Sequence, residues 1–202
     1  MVKLLIATRN RGKIVEMRAL LGAALETNVE VVTLQDMPSV AQPREDGKTF
    51  SENARIKALH YAGALKVLCV ADDSGLVVDA LGGKPGVLSA RYAGPGASDE
   101  RNNALVLDDL KPYPRPWKAA FVCSAVAALP GRVVVETAGR VGGEIVPEPR
   151  GEGGFGYDPI FFVEGTGKTM AELETLEKNR ISHRGQAMRL LVDDLRKSGL
   201  LG

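Results

Sequence analysis

A Pro130-Gly131 pair separates two long apolar runs, 118–129 and 132–137, and constrains the fold more than any other feature. A connection of two residues joins neighbouring antiparallel strands into a hairpin. Before it, three short apolar runs alternate with two segments of helical spacing, at 2–7, 12–25, 29–34, 49–64 and 67–71. Such alternation is typical of parallel strands with helical crossovers. The two patterns together predict an α/β fold with a mixed sheet, and a two-lobed shape with a cleft is compatible with it.

Two adjacent acids, Asp72 and Asp73, follow the apolar run 67–71 directly. We predict that they end this strand and that the next apolar run, 76–80, pairs beside it. Adjacent carboxylates repel each other unless a cation is near, and Mg²⁺ prefers one or two carboxylates together with phosphate and water. Side chains alternate along a strand, so only one of the two points along a given face. An Asx-type turn is the alternative, but a turn does not require two acids, so the pattern favours a metal site.

The segment TRNRGK, at 8–13, lies at a predicted junction of strand and helix. A helix start exposes unpaired N–H groups and the positive end of the dipole, which suits a phosphate. Thr8 and Asn10 add polar side chains, and Lys13 adds a full charge. Two interpretations stand equally: a phosphate-binding loop, or a capped helix with a solvated basic face.

Two later loops carry groups suited to a cation and to a flat ring. Glu45, in REDG, would add a carboxylate to the same metal, although a solvated loop is the simpler interpretation. In GGFGYDP, at 153–159, the glycines let the backbone lie close to a flat ligand. Phe155 can stack on a base, and Asp158 can accept from a ring N–H. The alternative for this segment is a tight loop with a buried phenylalanine.

The segment EKNRISHR, at 177–184, places Lys178, His183 and Arg184 around the start of the last predicted helix. These donors would bind a phosphate or a carbonyl oxygen. A capped helix with basic surface residues explains the same pattern equally well.

Overall charge and the distribution of apolar residues exclude some classes of partner. The net charge of +1 gives no field that would draw the chain onto nucleic acid or an anionic membrane. No apolar stretch is long enough to span a membrane, and the N-terminus lacks the pattern of a signal peptide. Cys69 and Cys123 lie in apolar runs without metal-type spacing, as expected for reduced core residues. We therefore expect a cytoplasmic protein without nucleic-acid or membrane partners.

Taken together, these segments resemble the inosine triphosphate pyrophosphatase family, the Ham1 or RdgB-like enzymes, over nearly the whole chain. Each motif alone is unspecific, but their order and spacing are specific. They are TxNxxK at 8–13, TFSENA at 49–54, ADDSGL at 71–76, LGGKPGVLSARYAG at 81–94, GGFGYDPIF at 153–161 and SHRGQA at 182–187.

The resemblance implies hydrolysis of ITP, dITP and XTP to the monophosphate and pyrophosphate, with Mg²⁺ as cofactor and a homodimer as the usual assembly. It implies that residues 1–202 form one Ham1-like domain. The implied fold is α/β, a long, mixed, bent sheet flanked by helices, with two lobes and a central active-site cleft.

The resemblance also assigns roles to individual residues. Asp73 is the expected catalytic base and metal ligand, and Glu45 is the expected second metal ligand. Arg184 and His183 are expected to read the edge of a base whose plane Phe155 holds. The full set expected to bind substrate is Thr8, Arg9, Asn10, Arg11, Gly12, Lys13, Ser74, Phe155, Gly156, Tyr157, Asp158, Lys178, His183 and Arg184.

The chain departs from the family pattern at two places. Arg9 stands where many relatives have glycine, which makes the phosphate loop bulkier or more basic. Arg44 and Glu45 stand where relatives often have two acids, which leaves Glu45 as the better ligand. Two other functions are compatible with parts of this pattern. A Maf-like nucleotide pyrophosphatase of other specificity is disfavoured by the FGYD and SHR motifs. A non-catalytic nucleotide sensor is disfavoured because it would need no paired acids.

Overall fold

The computed structural model describes residues 2–25 and 28–201. Six strands and five α-helices are assigned in this part of the chain, and short 3-10 segments connect several of them. They are β1 Val2–Ile6, α1 Arg11–Ala24, β2 Val29–Thr33, α2 Phe50–Leu65, β3 Leu68–Val78, α3 Asp99–Leu110, β4 Trp117–Leu129, β5 Arg132–Ile145, β6 Phe161–Val163, α4 Thr175–Ile181 and α5 His183–Lys197. None of these helices is long and apolar enough to cross a membrane.

The six strands form one sheet in the order β2-β1-β3-β4-β5-β6. Strand β1 runs parallel to both β2 and β3, whereas β5 runs antiparallel to β6. The sheet is therefore mixed, as the sequence predicts. The predicted hairpin is β4 and β5, but β5 continues to Ile145 instead of ending at Thr137.

The prediction for β3 was wrong in one respect. The strand runs without a break through Asp72 and Asp73 to Val78, so the acids do not end it. Residues 76–78 continue the same strand instead of pairing beside it, and Asp79–Leu81 form a 3-10 turn. In a sequence, two adjacent acids after an apolar run look like the end of a strand. They are tolerated here because buried cations meet them.

The described chain divides into two compact units. Unit 1 comprises the described residues of Met1–Asp73, Cys123–Gly139 and Arg184–Gly202, and unit 2 comprises Ser74–Val122 and Arg140–His183. Each unit has its own apolar core.

Unit 1 buries apolar side chains on both faces of its strands, because successive residues of a strand point in opposite directions. On one face, Ile6 and Val70 pack with Met17 of α1 and Leu191 of α5. The opposite face packs on α2, through Leu5, Cys69, Ala71, Ala54, Ala58 and Tyr61. In unit 2 one core joins α3 to the strand residues, with Leu76, Val106, Leu110, Trp117, Phe121 and Phe161 among its members.

Candidate active site

Asp72 and Asp73 point to opposite faces of β3. Asp72 lies two residues after Val70, so it points toward α1 and α5. Asp73 lies two residues after Ala71, so it points toward α2. The alternation thus separates the two acids and gives each its own set of partners.

The Asp72 carboxylate is fully buried and lies among cations. Its Oδ2 atom is 3.0 Å from Lys13 Nζ and accepts hydrogen bonds of 3.2 Å from Nε and Nη2 of Arg184. Burial alone would raise the pKa of Asp72, but Lys13 and Arg184 outweigh it and hold the pKa well below its usual range. Asp72 therefore stays ionised and fixes two basic side chains.

Arg184 is one of the most deeply buried side chains, with 2% of its surface exposed. Besides its bonds to Asp72, it donates from Nη1 to Glu16 of α1. Burial would lower the pKa of Arg184, but Asp72 and Glu16 reverse that effect and raise it. Two carboxylates already engage these donors, and the expectation that they read a base edge stays a prediction. This geometry favours a role for Arg184 in positioning Asp72.

The segment 8–13 bears out the capping interpretation, while phosphate binding stays a prediction. Asn10 is the N-cap of α1, and its side chain accepts a 3.0 Å hydrogen bond from the Lys13 N–H. Thr8 Oγ1 accepts from the Asn10 N–H, and Arg9 donates to the Val40 carbonyl. The capping interpretation therefore holds for Asn10. Lys13 is mostly buried against Asp72 instead of lying on a solvated face, while Arg11 is exposed and Gly12 half-buried.

Asp73 is held from α2. Its Oδ1 atom accepts a 2.9 Å hydrogen bond from Lys57 Nζ, and its Oδ2 atom accepts one of 3.3 Å from Asn53. Burial raises the pKa of Asp73 above its ordinary value, more than Lys57 and Lys13 lower it. A carboxylate with a raised pKa is a better proton acceptor near neutral pH.

Glu45 converges on the same lysine. Its Oε2 atom lies 2.8 Å from Lys57 Nζ, while the neighbouring Arg44 is exposed and pairs with Asp46. Burial would lower the pKa of Lys57, but Asp73, Asp72 and Glu45 raise it. Within residues 2–25 and 28–201 no group of three or more acidic, histidine or cysteine side chains is arranged to hold a metal. Two carboxylates that meet at one cation nevertheless fit Mg²⁺, which takes its other ligands from phosphate and water.

Sequence reasoning missed Lys57, Asn53 and Glu16. Asn53 and Lys57 are four residues apart on α2, and such residues share a helix face. They lie beside the small apolar residues Ala54 and Ala58, so a charge on a buried helix face was the available signal. Asn53 also accepts from the Gly47 N–H and so ties the loop that carries Glu45 to the Asp73 site. For Glu16 we find no comparable signal.

Unit 2 contains the glycine-rich loop at 153–158. The buried Asp158 carboxylate accepts from the Phe155 N–H at 2.9 Å and from Lys178 Nζ at 2.5 Å. The Lys178 ammonium also lies 5.1 Å from the centroid of the Phe155 ring, a cation–π distance. Gly154 has φ +75°, and a Cβ there would lie 2.0 Å from Asp158 Oδ2, so only glycine leaves room for this pair.

The other predicted residues of unit 2 differ in exposure. Tyr157 is buried, and its hydroxyl donates to the Ser89 carbonyl at 2.8 Å, so it packs within unit 2, and its substrate contact stays a prediction. His183 is buried and stacks on Phe121 with ring centroids 4.9 Å apart. Ser74 and Gly156 are half-buried.

The ADDSGL and LGGKPGVLSARYAG motifs meet in unit 2. A Cβ at Gly75 would lie 2.2 Å from Ser89 Oγ, and the Leu76 N–H donates to that same hydroxyl at 3.0 Å. The glycine of ADDSG thus lets the 86–91 turn lie against the end of β3.

Comparisons with known proteins agree with these motifs. The "dITP/XTP pyrophosphatase" of Geobacter sulfurreducens is 49% identical over 99% of this chain and 100% of its own length. The protein of the same name from Geobacillus kaustophilus is 49% identical over 93% of this chain and 91% of its own. Among solved structures, a HAM1 protein from Coxiella burnetii matches with a TM-score of 0.85 at 38% identity, covering 98% of this chain and 100% of that one. The sequence model of the Ham1 family matches residues 4–194, and the chain therefore belongs to the Ham1 family.

Proposed function

We propose that this protein hydrolyses non-standard purine nucleoside triphosphates, namely ITP, dITP and XTP, to the nucleoside monophosphate and pyrophosphate. The observation that carries the proposal is the convergence of Glu45 and Asp73 on one cation, Lys57, at 2.8 and 2.9 Å. The name shared by the curated relatives, dITP/XTP pyrophosphatase, supports the same substrate class. Removal of these nucleotides would keep them out of DNA and RNA.

Asp73 acts as the general base. It takes a proton from water while the water oxygen bonds to the α-phosphorus, and the bond from that phosphorus to the bridging oxygen breaks to release pyrophosphate. Its raised pKa suits this step, and Lys57 and Asn53 fix the direction of its two oxygens. Lys13 offsets the negative charge of the phosphates as a point charge.

Mg²⁺ is the cofactor that suits this pair of acids. Asp73 and Glu45 would hold it, and when bound it supplies positive charge that stabilises the phosphate oxygens. Addition of a chelator is expected to abolish turnover, and Mg²⁺ is expected to restore it. Glu45→Gln is expected to raise the Mg²⁺ concentration for half-maximal rate by roughly ten-fold, since one ligand charge is lost. Asp46→Asn in the same loop is the matched control, because Asp46 is exposed and pairs with Arg44.

Selection among bases is assigned to unit 2. Phe155 offers a ring for stacking, and Lys178 is a donor 5.1 Å from that ring. Hypoxanthine and xanthine carry a 6-oxo acceptor, whereas adenine carries a 6-amino donor. A donor aimed at this position pairs with the first two and is left unpaired by adenine, at a cost of about 1–3 kcal/mol.

A panel of nucleotides tests the proposal directly. ITP, dITP, XTP, GTP and ATP are incubated with protein and Mg²⁺, and released pyrophosphate is scored separately from orthophosphate. We expect pyrophosphate and monophosphate from the first three. Binding without turnover would point to a nucleotide sensor, and orthophosphate as the first product would overturn the assigned bond cleavage.

We also propose that the protein forms a homodimer and that it lies in the cytoplasm. The homodimer is expected from the family resemblance, and sedimentation of the purified protein tests it. Fractionation of the source cells tests the compartment.

A further inference from the structure

Two side chains of α3 bind the backbone of Gly156, one at its N–H and one at its carbonyl. The Gly156 N–H donates to Asp99 Oδ2 at 2.6 Å, and the Gly156 carbonyl accepts from Asn103 Nδ2 at 3.1 Å. Asp99 and Asn103 are one helical turn apart, a spacing that places both on the same face of the helix. Gly156 has φ +64°, so its peptide takes an orientation that L-residues rarely adopt.

The loop has little other support from α3. A cavity of about 460 Å³ lies between the helix and the loop, lined by Ala104 and Leu107 on one side and by 151–156 on the other. Side-chain packing therefore does not press the loop onto α3 along this stretch. The two hydrogen bonds to Gly156 link the loop to the helix beside this cavity.

Burial of the Asn103 side chain has a cost in folding free energy. It is 8% exposed, and its Oδ1 atom has no hydrogen-bond partner within the described part of the chain. An unpaired buried acceptor is unfavourable, so a residue chosen for stability alone would be apolar here. The role of the Asn103 side chain is the hydrogen bond that its Nδ2 atom donates to the Gly156 carbonyl.

Phe155 is thereby fixed at both ends of its backbone. Its own N–H is held by Asp158, and the next peptide is held by α3. A ring used for stacking must be held in one orientation before the ligand arrives, because ordering it on binding costs affinity.

We propose that Asp99 and Asn103 are positioning residues that orient Phe155 for stacking on a purine ring. This inference rests on the proposed function, since it takes Phe155 as the surface on which the base lies. Neither residue belongs to the motifs that identify the family in this chain. The inference extends the specificity machinery to the first turns of α3.

The test uses exposed Asp99 first, because its removal does not open the core. Asp99→Ala is expected to raise KM for ITP about five-fold and Asn103→Ala about ten-fold, with kcat within about two-fold of the parent. Asp99→Asn keeps an acceptor oxygen and is expected to restore the parental KM. Glu100→Ala is the matched control, since it removes the neighbouring acid of the same helix turn, whose carboxylate hydrogen-bonds to Ser98.

Two readouts separate positioning from a general loss of structure. Inorganic tripolyphosphate has no ring, so its inhibition constant should not change in either variant. Hydrogen exchange of the 155–156 amides, measured without nucleotide, should quicken in both variants and remain parental in Glu100→Ala.

The outcomes are distinct. A parental KM and parental exchange in Asp99→Ala and Asn103→Ala would overturn the inference, as would a parallel rise in the tripolyphosphate constant. Failure of the parent protein to hydrolyse ITP would instead sink the proposed function. The exchange measurement would then still decide whether α3 anchors the loop.

Discussion

The charged site of unit 1 and the glycine-rich loop of unit 2 are ordered by different means. In unit 1, Asp72 and Asp73 are fixed by ion pairs from three helices, and each carboxylate has its own buried cation. In unit 2 the loop is fixed by backbone N–H and carbonyl groups and by glycines at positive φ. The contrast indicates that the acids of unit 1 are placed by opposite charges, whereas the glycine-rich loop of unit 2 is placed by backbone geometry.

The largest expected effect falls on Asp73. Asp73→Asn keeps the shape but loses the charge and the basicity, so kcat should fall roughly 10²–10⁴-fold for every nucleotide that the parent hydrolyses. Circular dichroism should show an unchanged fold, because Asn53 and Lys57 retain an oxygen to bind. Asp158→Asn in unit 2 is the comparison, and we expect it to change the preference among bases more than the rate. A near-normal kcat in Asp73→Asn with Mg²⁺ present would remove this residue from the mechanism.

Asp72→Asn should act on stability first. The substitution removes the buried carboxylate that pairs with both Lys13 and Arg184, and it leaves Arg184 with Glu16. Breaking a buried ion pair costs roughly 3–5 kcal/mol, so the denaturation midpoint should drop sharply. Asp79→Asn, an exposed acid just after β3, is the control. If urea unfolding of Asp72→Asn matches the parent, charge pairing does not order this part of unit 1.

Lys13→Ala should weaken the handling of triphosphate more than folding. Asp72 keeps Arg184 as a partner, so the loss of stability should stay below that of Asp72→Asn. The loss of one charge-assisted contact to phosphate predicts a fall of roughly 10–100-fold in kcat/KM for ITP. Arg18→Ala, an exposed arginine on the same helix that pairs with Asp36, serves as the control. Parental kinetics with a lowered melting temperature would leave Lys13 a purely structural role.

The smallest and most discriminating effect concerns Arg184. Arg184→Lys keeps the charge but loses the planar fork that reaches Asp72 and Glu16 together. If Arg184 is a positioning residue, the substitution should lower kcat/KM for ITP and for ATP by the same few-fold factor. If Arg184 reads the base edge, the substitution would lower kcat/KM for ITP alone and reduce the difference in kcat/KM between ITP and ATP. Measuring both ratios in one variant decides between these roles.

Local signals in the sequence predicted local structure well. The pattern TFSE at 49–52 is that of a capping box, and Thr49 is indeed the N-cap of α2 and forms the box with Glu52. Ser, a common N-cap residue, stands at 98 and is the N-cap of α3. These features depend on residues three or four apart. The hairpin around Pro130-Gly131 is local in the same sense.

The errors all concern partners that are distant in the chain. Asp72 could not be placed inside a strand without knowing that Arg184, 112 residues later, would neutralise it. The same holds for Glu16, which meets Arg184 from another helix. Sequence patterns found which acids matter, but the sheet decides which cation each of them meets.

The ammonium of Lys57, which joins Glu45 to Asp73, has a consequence for how the protein matures. Without it, two acids facing one point would repel each other, and the chain would need a divalent ion before it could close around them. With it, the repulsion is already cancelled when the polypeptide folds. The apoprotein should therefore fold and keep its melting temperature in a chelating buffer.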